Sequence, residues 1–239
     1  MPDDIYAVDT AQISALRQYT ACDISDALLK LKVPGAGLLP DLSLVSADPG
    51  AKGQQEVAIA PGWPVLFVPK GSSTEQDDRP PANIPAGAHW ADLTPAGCFA
   101  VLRQPEGQTN AVCGGIMALR MAVLGAKGCA VLGRARDVEE LRGSGMPVWA
   151  RGLSTIGVGA ASQPWAVGTT VTAQGGAVVS PGDLVFADPV NGVVVIPRSK
   201  VEQVLELLPR LTAADDKVKE AVLGGMKVQE AFKLHRSNL

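Results

Sequence analysis

Gly115, Arg136, Asp137 and Glu140 stand at a spacing that can do chemistry: a glycine, twenty residues, an Arg-Asp pair, two residues and an acid. Gly114 and Gly115 would let the backbone come close to a ligand. If they open a helix, the N–H groups of Gly115, Ile116 and Met117 point at an anion from its positive end. Arg136 offers a planar fork that matches a carboxylate. Asp137 offers a hard oxygen of the kind Mg²⁺ or Mn²⁺ accepts when few protein ligands and several waters complete the shell. Together these residues describe a site for a small carboxylate bridged to a divalent cation. They also have a purely structural reading. Asp137 and Glu140 fit a capping box for a helix over 138–142, and Gly114-Gly115 fits a tight turn.

Other chemistries find less support. Gly157-Val-Gly159-Ala-Ala-Ser162 imitates a dinucleotide fingerprint, but Pro164 and a β-rich 169–171 follow it where a helix should begin. Lys70 and Lys127 have the glycine and alanine neighbours of exposed turns, whereas a Schiff-base lysine needs a desolvated pocket. The chain holds two histidines, His89 and His235. That excludes a three-histidine zinc site in one chain, and a serine triad would have to use His89. Cysteines at 22, 98, 113 and 129 form no C-x-x-C pair, which excludes zinc ribbons and thioredoxin-type motifs. The apolar settings of Cys98, Cys113 and Cys129 predict reduced core thiols.

The elements that must position the pair follow from pattern. An apolar run at 98–102 predicts a buried strand, 116–124 a helix apolar on nearly every side and therefore buried, and 129–132 a second strand closed by Gly133. Strand, helix, strand in this span is a βαβ unit with parallel strands and a right-handed crossover. In such a sheet ligands lie beyond the carboxyl ends of the strands, where Gly114-Gly115 and Arg136-Asp137 fall. Upstream, residues 9–32 read as helical, with Asp9 or Thr10 as cap and a second helix from about Asp23. Strands are expected at 56–60 and 65–68, separated by a Pro61-Gly62-Trp63-Pro64 turn. Residues 70–97 form a long irregular insertion, read as a surface excursion. Short strands at 169–173, 177–179, 184–187 and 193–196 suggest a second, mixed sheet layer. The segment 198–239 is a helical tail, with helices over 200–208 and 215–234.

Composition sets the class. The 239 residues carry 21 basic and 24 acidic side chains, a net charge of −3, with 46% apolar and 19% charged residues. This is ordinary globular composition, and one domain over 1–239 is expected. A mildly acidic chain without a lysine-arginine cluster argues against nucleic acid as a partner. No apolar run reaches the roughly 18 residues of a membrane span, and the N-terminus lacks a leader pattern, so a cytoplasmic protein is expected.

Six segments, CDISDAL at 22–28, GGIMA at 114–118, GRARDVEEL at 133–141, PVWARG at 147–152, PGDLVFAD at 181–188 and GVVVIP at 192–197, occur in an order that resembles the RraA-like family. That family includes 4-hydroxy-4-methyl-2-oxoglutarate aldolases with oxaloacetate decarboxylase activity, and bacterial regulators of ribonuclease E. The insertion at 70–97 resembles eukaryotic, fungal-type members. The resemblance implies an α/β, three-layer swivelling β/β/α fold with a central βαβ unit and a C-terminal helical tail. It implies homotrimers or hexamers with active sites between subunits, a further carboxylate coming from the neighbour. It implies a metal-dependent carbon–carbon lyase on 2-oxo acids, using Mg²⁺, Mn²⁺ or another divalent cation and releasing pyruvate. Gly114, Gly115, Ile116 and Met117 would hold the substrate, Arg136 would contact the keto acid, and Asp137 would carry the metal, with Arg136 and Asp137 as the catalytic pair. The alternative that the family implies is a non-catalytic regulator binding a ribonuclease or another protein. Two positions depart from the family pattern: Gly115 replaces an acid that positions water, and Leu132 replaces the aspartate before the glycine of the Arg-Asp motif.

Overall fold

The computed structural model describes residues 3–47, 56–73 and 79–237. A 3₁₀ turn (Asp3–Tyr6) leads into helices α1 (Thr10–Leu16) and α2 (Ala21–Lys30), then short strands β1 (Leu38–Leu39) and β2 (Ser43–Leu44). The central run is β3 (Ala58–Pro69), β4 (Phe99–Arg103), α3 (Gly115–Val123), β5 (Gly128–Ala135), α4 (Val138–Gly143) and β6 (Val148–Leu153). Next come β7 (Ser162–Val167), β8 (Val171–Thr172), β9 (Val178–Val179), β10 (Leu184–Asp188) and β11 (Gly192–Ile196). Helices α5 (Val201–Leu223) and α6 (Val228–His235) form the tail.

Among the described residues nine strands make one mixed sheet, ordered β1-β11-β10-β3-β4-β5-β6-β2, with β7 also paired to β3. The stretch β3-β4-β5-β6 is parallel, and β4–α3–β5 is the expected crossover unit. The sheet folds back on itself. Phe99, Val101, Ala130, Leu132 and Trp149 of the parallel part pack against Val185, Ala187, Val193 and Val195 of β10 and β11. Outside the parallel part, Ala118 and Met121 of α3 and Leu141 of α4 cover Ala100, Leu102, Cys129 and Val131. These are the β/β/α layers, with β10 and β11 in the second β layer. The other outer face, including Phe186, Val194 and Ile196, is covered by Leu16, Ile24 and Leu28 of the first two helices and Val204, Leu208 and Leu211 of α5.

Several boundaries differ from expectation, each for a reason of pairing or packing. Residues 56–60 and 65–68 belong to one strand, because β3 changes partners rather than turning. It pairs with β10 through Pro61, and with β7 from Val65. The two prolines lie at this exchange, where a missing N–H costs least. Strand β5 does not stop at Gly133. The Gln104 side chain packs where a Cβ at 133 would stand, and its Oε1 accepts from the Arg134 amide at 2.8 Å, carrying the chain on to Ala135. Helix α2 begins before Asp23, capped by Thr20 in a reciprocal box with Asp23. The tail breaks at 224–227 rather than at 209–214. Pro209 sits inside α5, and burial of Leu208 and Leu211 on either side holds the helix through it.

Helix α3 is the main correction. It was expected to be buried all round, yet Ile116, Leu119 and Val123 are 71%, 53% and 69% exposed. Only Gly115, Ala118 and Met121 are buried, because one face alone meets the sheet. The insertion is not simply a surface excursion. Trp90 at its end is buried and packs edge-on to Phe67 at 5.5 Å, and Asn83 binds both backbone groups of Val167. Residues 74–78 of the insertion lie outside the described residues. Cys98, Cys113 and Cys129 are free, buried thiols, and burial raises the Cys98 pKa to about 12.

Asp188 ties the second β layer to the N-terminal helices. Its Oδ1 accepts from the Val190 and Asn191 amides at 2.9 and 3.1 Å. Its Oδ2 accepts from Asn191 Nδ2 at 2.8 Å and from the Ala21 amide, at the start of α2, at 3.1 Å. Burial by itself would raise its pKa, but these four hydrogen bonds outweigh it and hold the carboxyl below the ordinary aspartate value. A depressed folded-state pKa gives stability that is present above the unfolded value and is lost as pH falls through the folded one. Asp188→Ala is expected to cost about 2 kcal/mol at pH 7, because the buried Ala21 amide and three part-buried donors lose a charged acceptor. Urea unfolding at pH 7 and pH 3 checks this, and the gap between wild type and variant should narrow at the lower pH.

Candidate active site

The site is built where the loop after β4 runs back alongside the end of β5. The Val112 amide donates to the Arg134 carbonyl, and the Arg136 amide to the Cys113 carbonyl, each at 3.0 Å. Cys113 forms a parallel bridge with Ala135. This extra strand-like pairing brings the start of α3 against residues 136–140. Both glycines are there for close approach. A Cβ on Gly114 would stand 2.8 Å from Asp137 Oδ2 and 3.3 Å from Arg136 Cγ. A Cβ on Gly115 would overlap the Cβ and carboxylate of Glu140. The glycine–Arg-Asp–acid spacing is therefore a packing rule. Glycine at 115 leaves room for Glu140, and the fit sets the distance between α3 and the Arg-Asp pair.

Asp137 is the N-cap residue of α4, but the expected capping box is absent. Its backbone lies in the left-handed region at φ 60°, ψ 52°, and its side chain makes no cap hydrogen bond. The left-handed backbone turns the carboxylate away from the α4 amides. Oδ2 instead lies 3.2 Å from Arg136 Nε, with the two side chains 39% and 43% exposed. An ion pair this open adds little stability. A non-glycine residue held at positive φ costs of order 1–3 kcal/mol, and such strain gathers at functional sites. Gly157 makes room for the arginine, because a Cβ there would stand 3.1 Å from Arg136 Nη1.

Around this pair lies a cleft of about 150 Å³. Gly114, Ile116, Met117, Arg136 and Asp137 all line it, with His89, Trp90, Ala111, Val112, Cys113 and Val158. Gly115 does not. It is buried against Glu140, so of the expected substrate-holding residues it acts through packing. Gly114 caps α3 with no side chain, and the first intrahelical bond is Ala118 N to Gly114 O at 3.1 Å. The first-turn amides of Gly115, Ile116 and Met117 thus have no acceptor within the helix. A larger hollow of about 640 Å³, bounded by Glu56, Arg142 and Trp149, touches none of these residues.

His89 was not among the expected site residues. Its Nδ1 accepts from the Ala91 amide at 3.2 Å, which in the neutral ring places the proton on Nε2. The signal available in the sequence was thin: one of two histidines, inside an irregular stretch ending in a buried tryptophan. Lys70 is exposed, with Nζ donating to the Gly159 carbonyl at 2.6 Å. No described residues form a group of three or more His, Cys, Asp or Glu able to hold a metal.

The sequence profile of the RraA-like family, described as Aldolase/RraA, matches residues 51–195. The chain belongs to that family. A Methanocaldococcus jannaschii protein of uncharacterized function is 29% identical over 127 residues, 52% of this chain and 59% of that one. A Halalkalibacterium halodurans protein, provisionally named a 4-hydroxy-4-methyl-2-oxoglutarate aldolase, is 30% identical over 126 residues, 52% of this chain and 58% of that one. The chain thus spans about six-tenths of the length of either relative. In structure it is similar to Streptomyces coelicolor RraAS2, described as an unusual member of the RNase ES inhibitor RraA protein family. The TM-score is 0.65 at 23% identity, covering 92% of this chain and 98% of that one. That likeness concerns the fold. No helix among the described residues is long and apolar enough to cross a membrane.

Proposed function

We propose that the chain is a divalent-metal-dependent carbon–carbon lyase acting on 2-oxo acids. It would decarboxylate oxaloacetate to pyruvate, cleave 4-hydroxy-4-methyl-2-oxoglutarate to pyruvate, or do both. One observation carries this reading: the Asp137 carboxylate is held at positive φ, free of the cap, beside Arg136 and the open end of α3. The donor set fits Mg²⁺ or Mn²⁺, since one hard carboxylate oxygen suffices when water and a chelating substrate supply the rest. A divalent cation there would draw electron density from the 2-oxo group as a Lewis acid. The chain's own residues do the remainder. The α3 amides and the Arg136 fork orient the substrate carboxylate. Arg136 also faces the negative charge that collects on the 2-oxo oxygen as the carbon–carbon bond breaks, and one preorganised donor of this kind is worth about 3–4 kcal/mol.

Cleavage leaves a carbanion equivalent that needs a proton. Gly115 offers none, whereas His89 lines the same cleft, where an imidazole can pass a proton to the reacting carbon. His89 is assigned to this transfer. His89→Gln is expected to lower kcat for pyruvate release by about a hundredfold while changing KM little. Steady-state kinetics of pyruvate formation from each substrate check this, and an unchanged kcat would remove His89 from the transfer.

The row Ile116, Leu119 and Val123 on α3, exposed beside the cleft, supports self-association that puts the site at a subunit boundary, as a homotrimer or hexamer would.

A further inference from the structure

The carboxyl ends of β4, β5 and β6 open onto two clefts. One is the candidate active site on the α3 side. The other, of about 350 Å³, lies where the two β layers part, between the loop 104–109, Leu132–Arg134 of β5, Arg151 of β6 and Gln174 of the β8–β9 turn. Arg134 and Arg151 line it, Arg103 at the end of β4 adjoins it, and their hydrogen bonding is unequal. Arg103 is engaged through all three of its guanidinium nitrogens. Its Nε donates to the Thr172 carbonyl at 2.8 Å, Nη1 to the Gln104 carbonyl, and Nη2 to Glu106 Oε1 at 3.1 Å. Glu106 is therefore matched. Arg134 Nη1 donates to the Leu153 carbonyl at 2.9 Å.

Arg151 is left short. Its hydrogen bond among the described residues is a long one, Nε to the Pro40 carbonyl at 3.4 Å, and Nη2 is buried without a partner. Burial, and next the charge of Arg103, pull its pKa down, while Asp41 and Glu106 act in the opposite sense. Neither acid forms an ion pair with it among the described residues. A guanidinium cannot shed its proton at neutral pH, so the charge stays while Nη2 lacks an acceptor.

We propose that this cleft is a second ligand site, binding an oxyanion (a carboxylate or a phosphate group) between Arg151 and Arg134. A charged oxygen acceptor supplies what the folded chain does not, and two guanidinium forks at one cleft suit an anion with several oxygens. The site is separate from the Arg136–Asp137 cleft and connected to it by one loop. Gln104 to Thr109 line the anion cleft, and Ala111 to Gly114 line the other. Buried Asn110 pins the loop midway. Its carbonyl accepts from Gln104 Nε2 at 2.6 Å, and its Nδ2 donates to Ser162 Oγ at 2.9 Å.

Calorimetry and thermal melting on the full chain in EDTA test this, with sodium phosphate, sodium malonate and sodium chloride as probes at constant ionic strength. Phosphate or malonate should bind saturably and raise the melting temperature, chloride should not, and the tighter of the two identifies the anion type. Arg151→Met and Arg134→Gln should each weaken that binding by about tenfold or more, as loss of a charge-assisted contact does. Arg136→Ala, which alters only the other cleft, should leave it unchanged. The proposal is overturned if neither oxyanion binds, if both cleft variants bind like wild type, or if Arg136→Ala alone removes binding. Should Arg151→Met fail to fold, Arg134→Gln decides, because that side chain is only half-buried.

Discussion

Asp137→Asn should lower pyruvate formation from oxaloacetate by about a thousandfold while leaving the melting temperature unchanged or slightly raised. The two halves of this expectation come from different features of one residue. For stability, the carboxylate caps nothing, and its ion pair with Arg136 is open to solvent; such pairs contribute about 0–1 kcal/mol. Asparagine tolerates positive φ as well as aspartate does, so the backbone at φ 60° is not further strained. For chemistry, the amide keeps size and shape but loses the charge that would anchor a hard cation. Kinetics and calorimetry on one preparation give both numbers. A variant that melts early and retains activity would make Asp137 a structural residue.

Gly115→Ala should act in the opposite manner, on structure first. The added methyl would overlap Glu140 at its Cβ as well as its carboxylate, so a rotamer change cannot relieve it. Helices α3 and α4 must move apart, at a cost of about 1–3 kcal/mol for overpacking. Asp137 opens α4, so the movement also displaces the Arg-Asp pair from Gly114. A shift of about 1 Å at a catalytic group can remove about a hundredfold in rate. Urea unfolding and oxaloacetate turnover should therefore fall together. Glu140→Ala, which keeps the Cβ, should rescue the double variant only partly.

The parts of this site legible in the sequence are those set by local pattern. The runs at 98–102 and 129–132 around an apolar helix specify β4–α3–β5, and the position of Arg136-Asp137 after the second strand follows from that unit. Where pairing partners come from far along the chain, the pattern misleads. Pro61 and Pro64 read as a turn until β10 and β7 are seen to share β3 between them. Gly133 reads as a stop until the Gln104 carboxamide takes the place of its side chain. The capping-box spacing of Asp137 and Glu140 is compatible with either a cap or a left-handed turn. The contact between Glu140 and Gly115, remote in sequence, accompanies the second. His89 reaches the cleft only because Trp90 is buried beside Trp63 and Phe67, a tertiary fact without a local signal. The all-round apolar character of α3 predicts burial on every side, but the chain alone covers one face.

If Asp137 and Arg136 form a metal-dependent electron sink for a 2-oxo acid, as proposed, turnover must depend on both the cation and the guanidinium. The most direct measurement is oxaloacetate decarboxylation by the chelator-stripped protein, titrated with Mg²⁺ or Mn²⁺, for wild type and Arg136→Ala in parallel. Stripped wild-type protein should be inactive, activity should return saturably with the cation, and Arg136→Ala should stay about a hundredfold or more below it at every concentration. Turnover that persists in chelator, or that Arg136→Ala shares with wild type, would contradict it.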